Sequence, residues 1–267
     1  MEYFAGINPV LQGLLATLFT WSITALGAGV VFFFKTAKRK LLDIMMGFGA
    51  GVMIAASFWS LLNPAIALCE ELGYSGWVLP AIGFFCGGGL IIAADKILSK
   101  CSFEDIVHKG KSHDGFKRCL MLVFAVTLHN IPEGLAVGVA FGGTALGIPG
   151  CDLVSAMSLA VGIGLQNFPE GVSVSLPLRA QGVSRVKSFF YGQLSGLVEP
   201  IAGVIGVVAA LTMRNILPFM LAFSAGAMIA VVASELIPES AKKNKNIATL
   251  GVIIGFIVMM VMDVALG

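Results

Sequence analysis

An all-α integral membrane protein of eight transmembrane helices is the fold this sequence predicts, and three observations predict it. Of 267 residues, 57% are hydrophobic and only 12% are charged, where a soluble domain carries about a quarter charged residues. The apolar residues fall in eight runs, each long enough for a hydrocarbon core that takes roughly 20 helical residues to cross. Sixteen of the seventeen Lys and Arg residues lie in the odd-numbered loops between those runs. The 33 glycines suit helices that pack closely within a membrane.

The runs cover about 8–34, 44–68, 77–98, 119–143, 152–178, 187–211, 214–238 and 247–266, a single transmembrane domain in all. They are continuously apolar rather than alternating, which excludes a membrane β-barrel. Lys35, Lys38, Arg39 and Lys40 follow the first run. Lys96, Lys100, Lys109, Lys111, Lys117 and Arg118 surround the charged loop 99–118. Arg179, Arg185 and Lys187 follow the fifth run, and Lys242, Lys243 and Lys245 the seventh. Only Arg214 lies in an even loop. The positive-inside rule therefore puts the odd loops in the cytoplasm and both termini outside, as expected for a protein of the cell (inner or plasma) membrane. Met1 to Pro9 lacks the basic start of a signal peptide, and the first run is too long for its apolar region. The five cysteines form no C-x-x-C; they read as small apolar fillers, although Cys69 and Cys151 both fall near outer helix ends.

The chain repeats itself. Ala50-Gly51-Val52-Met53-Ile54-Ala55 in the second run matches Ala225-Gly226-Ala227-Met228-Ile229-Ala230 in the seventh. Gly83, Gly87 and Asp95 in the third match Gly251, Gly255 and Asp263 in the eighth at one constant offset. Asn130-Ile131-Pro132-Glu133-Gly134 in the fourth matches Asn167-Phe168-Pro169-Glu170-Gly171 in the fifth. Matched runs cross in opposite senses, so the expectation is an inverted repeat: helices 1–3 against 6–8 around a central 4/5 pair. Transporters built this way bind their substrate at the repeat interface near mid-membrane.

Polar groups inside membrane helices are costly and mark function. His129 and Glu133 are four residues apart and share a helix face, as do Gln166 and Glu170. Pro132 and Pro169 cannot donate to the carbonyls of Leu128 and Leu165, and a freed carbonyl is tolerable only beside protein, water or an ion. Glu199-Pro200 repeats the carboxylate–proline theme, and Glu235 adds an acid in the seventh run. Mid-membrane glutamates with no Lys or Arg among them need protons or metal cations. One imidazole with carboxylates and amide oxygens suits zinc or another first-row divalent ion. Gln166 and Asn167 serve equally well as ligands or as interhelical hydrogen-bond partners, and Met53 as a thioether ligand or a core filler. Glu235 and Glu239 lie toward the cytoplasmic end of their helix, where they line a pathway or face water. His108 and His113, in the charged loop, read as solvated residues.

These motifs resemble those of the ZIP (Zrt/Irt-like) divalent metal transporters, the GufA-like branch in particular. The likeness is carried by His129-Asn130-Ile131-Pro132-Glu133-Gly134, Gln166-Asn167-Phe168-Pro169-Glu170-Gly171, Ser195-Gly196-Leu197-Val198-Glu199-Pro200, Gly51-Val52-Met53 and Ser234-Glu235. It implies a primary site of Met53, His129, Glu133, Gln166 and Glu170. Asn130, Asn167 and Glu199 would complete a second position sharing Glu133 and Glu170, and Glu235 would lie on the release side. It further implies inward transport of zinc, with cadmium, iron and manganese as other passengers because Gln166 stands where many members have a second histidine. Ser60 would line the outer entrance. A resident cofactor, an enzymatic activity and a nucleic-acid partner are not implied; the partners are the metal ion and the bilayer, and a homodimer is compatible with the fold. H-E-x-x-H and G-x-x-x-x-G-K-[ST] are both missing, so movement should follow the ion gradient rather than ATP. A proton or monovalent-cation channel using the buried glutamates is the rival reading.

Overall fold

The computed structural model describes residues 6–36, 38–100, 113–148 and 151–266; residues 101–112, with His108 and most of the charged loop, lie outside them. Among the described residues the chain is helical throughout. Helix α1 (Pro9–Gly29) starts where the Asn8 side chain accepts from Val10 N at 2.9 Å and Pro9 occupies the first turn. Next come α2 (Arg39–Ala56), α3 (Asn63–Glu71), α4 (Val78–Lys100) and α5 (His113–Ala145). Then follow α6 (Leu153–Ala180), capped by Asp152, and α7 (Arg185–Leu194), capped by Ser184. The last are α8 (Val198–Thr212), α9 (Leu217–Val231) and α10 (Ile237–Val261). Positive φ at Gly73 and Gly182 turns the chain after α3 and α6, a conformation with no Cβ penalty only for glycine.

Five of the described helical stretches are long and apolar enough to cross a membrane: Pro9–Phe32, Arg39–Glu71, Val78–Ile97, Arg185–Thr212 and Arg214–Ala265. Helices α5 and α6, which carry the two polar motifs, are long but are not among the five. Several runs that read as single helices are interrupted. The second run widens into π-helical turns at Ser57–Leu62 ahead of Pro64, and the seventh at Val232–Leu236 ahead of Pro238. Each proline removes an i to i−4 bond, and the helix absorbs the loss in a wider turn. The sixth run breaks at Ser195–Leu197, between α7 and α8. The basic stretch after the seventh run is helical apart from Asn244 (φ −132°, ψ 67°). Asn244 Nδ2 donates to Asp43 Oδ2 at 2.7 Å, and Arg39 Nε lies 2.7 Å from the other oxygen of that buried carboxylate. The ends of α2 and α10 are thereby tied together.

The most extensive contacts pair α2 with α10, α4 with α9, α5 with α8 and α1 with α6. Glycines make these approaches possible. A Cβ at Gly51 would lie 2.0 Å from Val252 O, and one at Gly226 would lie 2.0 Å from Phe84 O. One at Gly255 would lie 2.0 Å from Phe48 O, and one at Gly87 would lie 1.9 Å from Phe223 O. Any side chain there would push the helices apart, so backbone-to-backbone contact holds each pair. The core between the pairs is dominated by small and branched residues, with Phe141, Met228 and Met259 fully buried. Cys69 and Cys151 are both buried free thiols.

Candidate metal site

The two proline motifs sit inside α5 and α6, and their polar side chains turn inward. His129 is 5% exposed, Glu170 7%, Gln166 1%, and Asn130, Glu133, Asn167 and Glu199 are fully buried. Gln166 Nε2 donates to Glu133 Oε1 and, at 3.2 Å, to Asn167 Oδ1. Asn167 Nδ2 donates to both oxygens of Glu199 at 2.9 Å and approaches Thr20 O at 3.3 Å. A continuous hydrogen-bonded line thus joins Glu133 on α5, Gln166 and Asn167 on α6, and Glu199 on α8. Glu170 lies within electrostatic reach of Glu133, Glu199 and Glu235. The break before α8 has a local purpose. Glu199 N bonds to Gly196 O at 3.0 Å, which leaves Ser195 O to accept from Asn130 Nδ2 at 2.9 Å.

Four oxygens in this group are buried with no partner: Asn130 Oδ1, Glu133 Oε2, Gln166 Oε1 and Glu170 Oε2. Buried polar atoms are nearly always satisfied, and leaving one bare costs about 1–3 kcal/mol. A cation bound among them would offset that cost. Among the described residues no three His, Cys, Asp or Glu side chains are grouped closely enough to hold a metal by themselves. Amide oxygens would therefore have to complete any ligand set, and two of the four unpartnered atoms are amide oxygens.

His129 points elsewhere. Its Nε2 lies 2.7 Å from Glu235 Oε1. Both residues line a cavity of about 220 Å³ whose walls also include Met46, Glu170, Ser173, Glu239 and Lys242. A narrow neck of about 10 Å³, bounded by Gly49, Met46, Gln166, Glu170 and Ser173, adjoins it. Glu239 carries an Arg39 guanidinium at 3.0 Å and the Lys242 ammonium. Ser60 is buried and donates to Asp263 Oδ1 at 2.8 Å. Met53 is wholly buried in the main apolar core.

A family model described as "ZIP Zinc transporter" matches residues 104–263. Zinc transporter ZIP11 of Xenopus tropicalis is 40% identical, over 98% of this chain and 99% of its own. The Homo sapiens ZIP11 is 37% identical over the same shares. Zinc transporter GufA of Myxococcus xanthus is 36% identical over 96% and 99%. The chain belongs to the ZIP family.

Sequence reasoning passed over several residues that this ZIP chain brings to the site. Met46, two turns from Met53 on the same helix, and Ser173, one turn from Glu170, both line the cavity. Their positions follow from helical spacing once the motif is fixed. Asp263 was visible only as the repeat partner of Asp95; here it meets Ser60, with its Oδ2 buried and unpartnered. Thr20 and Thr24 on α1 look like small interior fillers, yet Thr20 donates to Glu199 and Thr24 lies beside that carboxylate.

Proposed function

We propose that this chain moves divalent metal ions, zinc foremost, through the membrane into the cytoplasm, with cadmium, iron and manganese as further passengers. The observation that carries the reading is the set of four unpartnered buried oxygens on Asn130, Glu133, Gln166 and Glu170. Glu133, Gln166 and Glu170 form the primary site, which His129 would complete by turning from Glu235 and Met53 by turning from the apolar core. Asn130, Asn167 and Glu199 border a second position that shares Glu133 and Glu170, which makes the site binuclear.

The eight-span topology with both termini outside puts Lys242 and Glu239 on the cytoplasmic side, so the cavity that reaches His129 and Glu170 opens inward. An ion entering from outside passes Ser60, sheds water onto the carboxylates and leaves by way of His129, Glu235 and Glu239. The inverted repeat is supported by the packing. Exchanging α1 with α7–α8, α2 with α9, α4 with α10 and α5 with α6 turns each of the four close helix pairs into another. The Gly51–Val252 and Gly226–Phe84 contacts are counterparts under that exchange, as are Gly255–Phe48 and Gly87–Phe223. The pairs α1–α6 and α5–α8 form one body, and α2–α10 and α4–α9 the other. Rocking of one against the other would open the site alternately to each side. Because the ligands must be deprotonated, metal affinity falls as pH falls.

Zinc uptake into proteoliposomes tests the assignment. Glu133→Ala and Glu170→Ala should each reduce flux by about tenfold or more, the scale at which residues supporting a metal site matter. Undiminished flux through either variant would eliminate the site. Sodium flux that persists at full zinc saturation would favour a monovalent-cation channel instead.

A further inference from the structure

Glu199 differs from Glu133 and Glu170 in having no unpartnered oxygen. Thr20 Oγ1 donates to Glu199 Oε2, the Thr24 hydroxyl lies beside the same carboxylate, and Asn167 Nδ2 lies 2.9 Å from each carboxylate oxygen. Thr20 and Thr24 are both fully buried on the inward face of α1, one turn apart. Thr17 O, 3.0 Å from Thr20 Oγ1, is the other acceptor within reach of that single hydroxyl proton.

Donor and acceptor counting along the line then leaves little freedom. The Glu199 carboxylate accepts, so Asn167 must turn its amide nitrogen toward it. That leaves Asn167 Oδ1 facing Gln166, and a carbonyl oxygen accepts only. Gln166 must therefore present Nε2, which it does at 3.2 Å. The same nitrogen reaches Glu133 Oε1. The atom left over is Gln166 Oε1, buried and without a partner.

We propose that Thr20 and Thr24 are positioning residues for the metal site: by anchoring Glu199 they hold Asn167 against Gln166, and so keep the Gln166 amide oxygen steady toward the ion. With the anchor in place an oxygen is presented. With the anchor lost, Glu199 can swing away from Asn167, and the Gln166 amide, held by Glu133 alone, no longer keeps its oxygen fixed toward the ion. This inference rests on the metal-site reading above and adds to it the device that steadies the oxygen at residue 166.

The test compares two backgrounds. In proteoliposomes, Thr20→Val should raise the KM for zinc about tenfold, the range for partners that orient metal ligands. Vmax should stay within about twofold, and Thr20→Ser should restore the wild-type KM because it keeps the hydroxyl. Thr24→Val, which removes the other hydroxyl, should raise KM in the same direction by a smaller factor and serves if Thr20→Val does not fold. In a Gln166→His background there is no amide to orient, so adding Thr20→Val should change KM by less than about twofold. An equal rise in both backgrounds, or no rise in either threonine variant, overturns the proposal. The two readings fail separately. An unchanged zinc KM in Gln166→Ala would remove the site itself. An impaired Gln166→Ala with a Thr20 effect indifferent to residue 166 would leave the site standing and remove the relay.

Discussion

The two Asn-x-Pro-Glu-Gly turns share a backbone and differ in their partners. On α5, Asn130 donates to Ser195 O at 2.9 Å; on α6, Asn167 approaches Thr20 O at 3.3 Å. Both asparagines thus hold a main-chain acceptor. A Cβ at Gly134 would meet Glu199 O at 2.4 Å, and one at Gly171 would meet Thr24 O at 2.1 Å. There the likeness stops. Gly134 faces Glu199 and Gly171 faces Thr24; Asn167 donates to the Glu199 carboxylate, while Asn130 keeps Oδ1 unpartnered. His129 stands where the other half has Gln166, and it faces Glu235 and the cavity rather than the buried line. The shared motif supplies the scaffold, and the positions that differ give the two motifs different partners.

The shared scaffold is the part most costly to disturb. Gly134→Ala and Gly171→Ala each force a methyl into a facing carbonyl, and each should lose about 3 kcal/mol of stability, the upper end for overpacking. Thermal unfolding of the purified variants checks this, and a large loss in only one of them would break the symmetry of the two turns. The division of labour is tested next. His129→Ala should lower zinc flux by about 10- to 100-fold, the usual cost of losing a group that sustains a metal site. Gln166→His should instead favour zinc over manganese in competitive uptake, because imidazole suits zinc better than a carbonyl oxygen does. At the cavity, Glu235→Gln keeps the hydrogen bond to His129 but not the charge. It should slow turnover about threefold with little change in KM, since a charge-assisted bond is roughly twice as strong as a neutral one. Far from both turns, the exposed Arg214–Glu71 pair at 2.6 Å should contribute less than about 1 kcal/mol. Arg214→Gln should leave both stability and flux near wild type.

Much of this architecture was legible in the sequence, for physical reasons. Apolar runs long enough to cross a bilayer, and the glutamates set within them, stand out because a membrane tolerates few exceptions. The glycine matches were legible because only glycine permits the approach of Gly87 to Phe223 O. What escaped were effects that depend on distant partners. The wide turns at Ser57–Leu62 and Val232–Leu236 reflect how a proline-weakened helix packs, and not composition alone. Thr20 looks like filler until α1 lies against α6 and its hydroxyl meets Glu199. Met46 and Ser173 gain meaning only once the cavity has a position. Glu239 reads as a free acid beside the pathway until Arg39, from the other end of the chain, is seen bound to it.

Equilibrium zinc binding to the purified protein tests the central claim most directly. Calorimetric titration of the wild-type chain should show saturable zinc binding that cadmium displaces and sodium does not. The Glu133→Gln/Glu170→Gln variant, folded and monodisperse, should show none at the same concentrations. Zinc bound by that variant with wild-type affinity and stoichiometry would contradict the account.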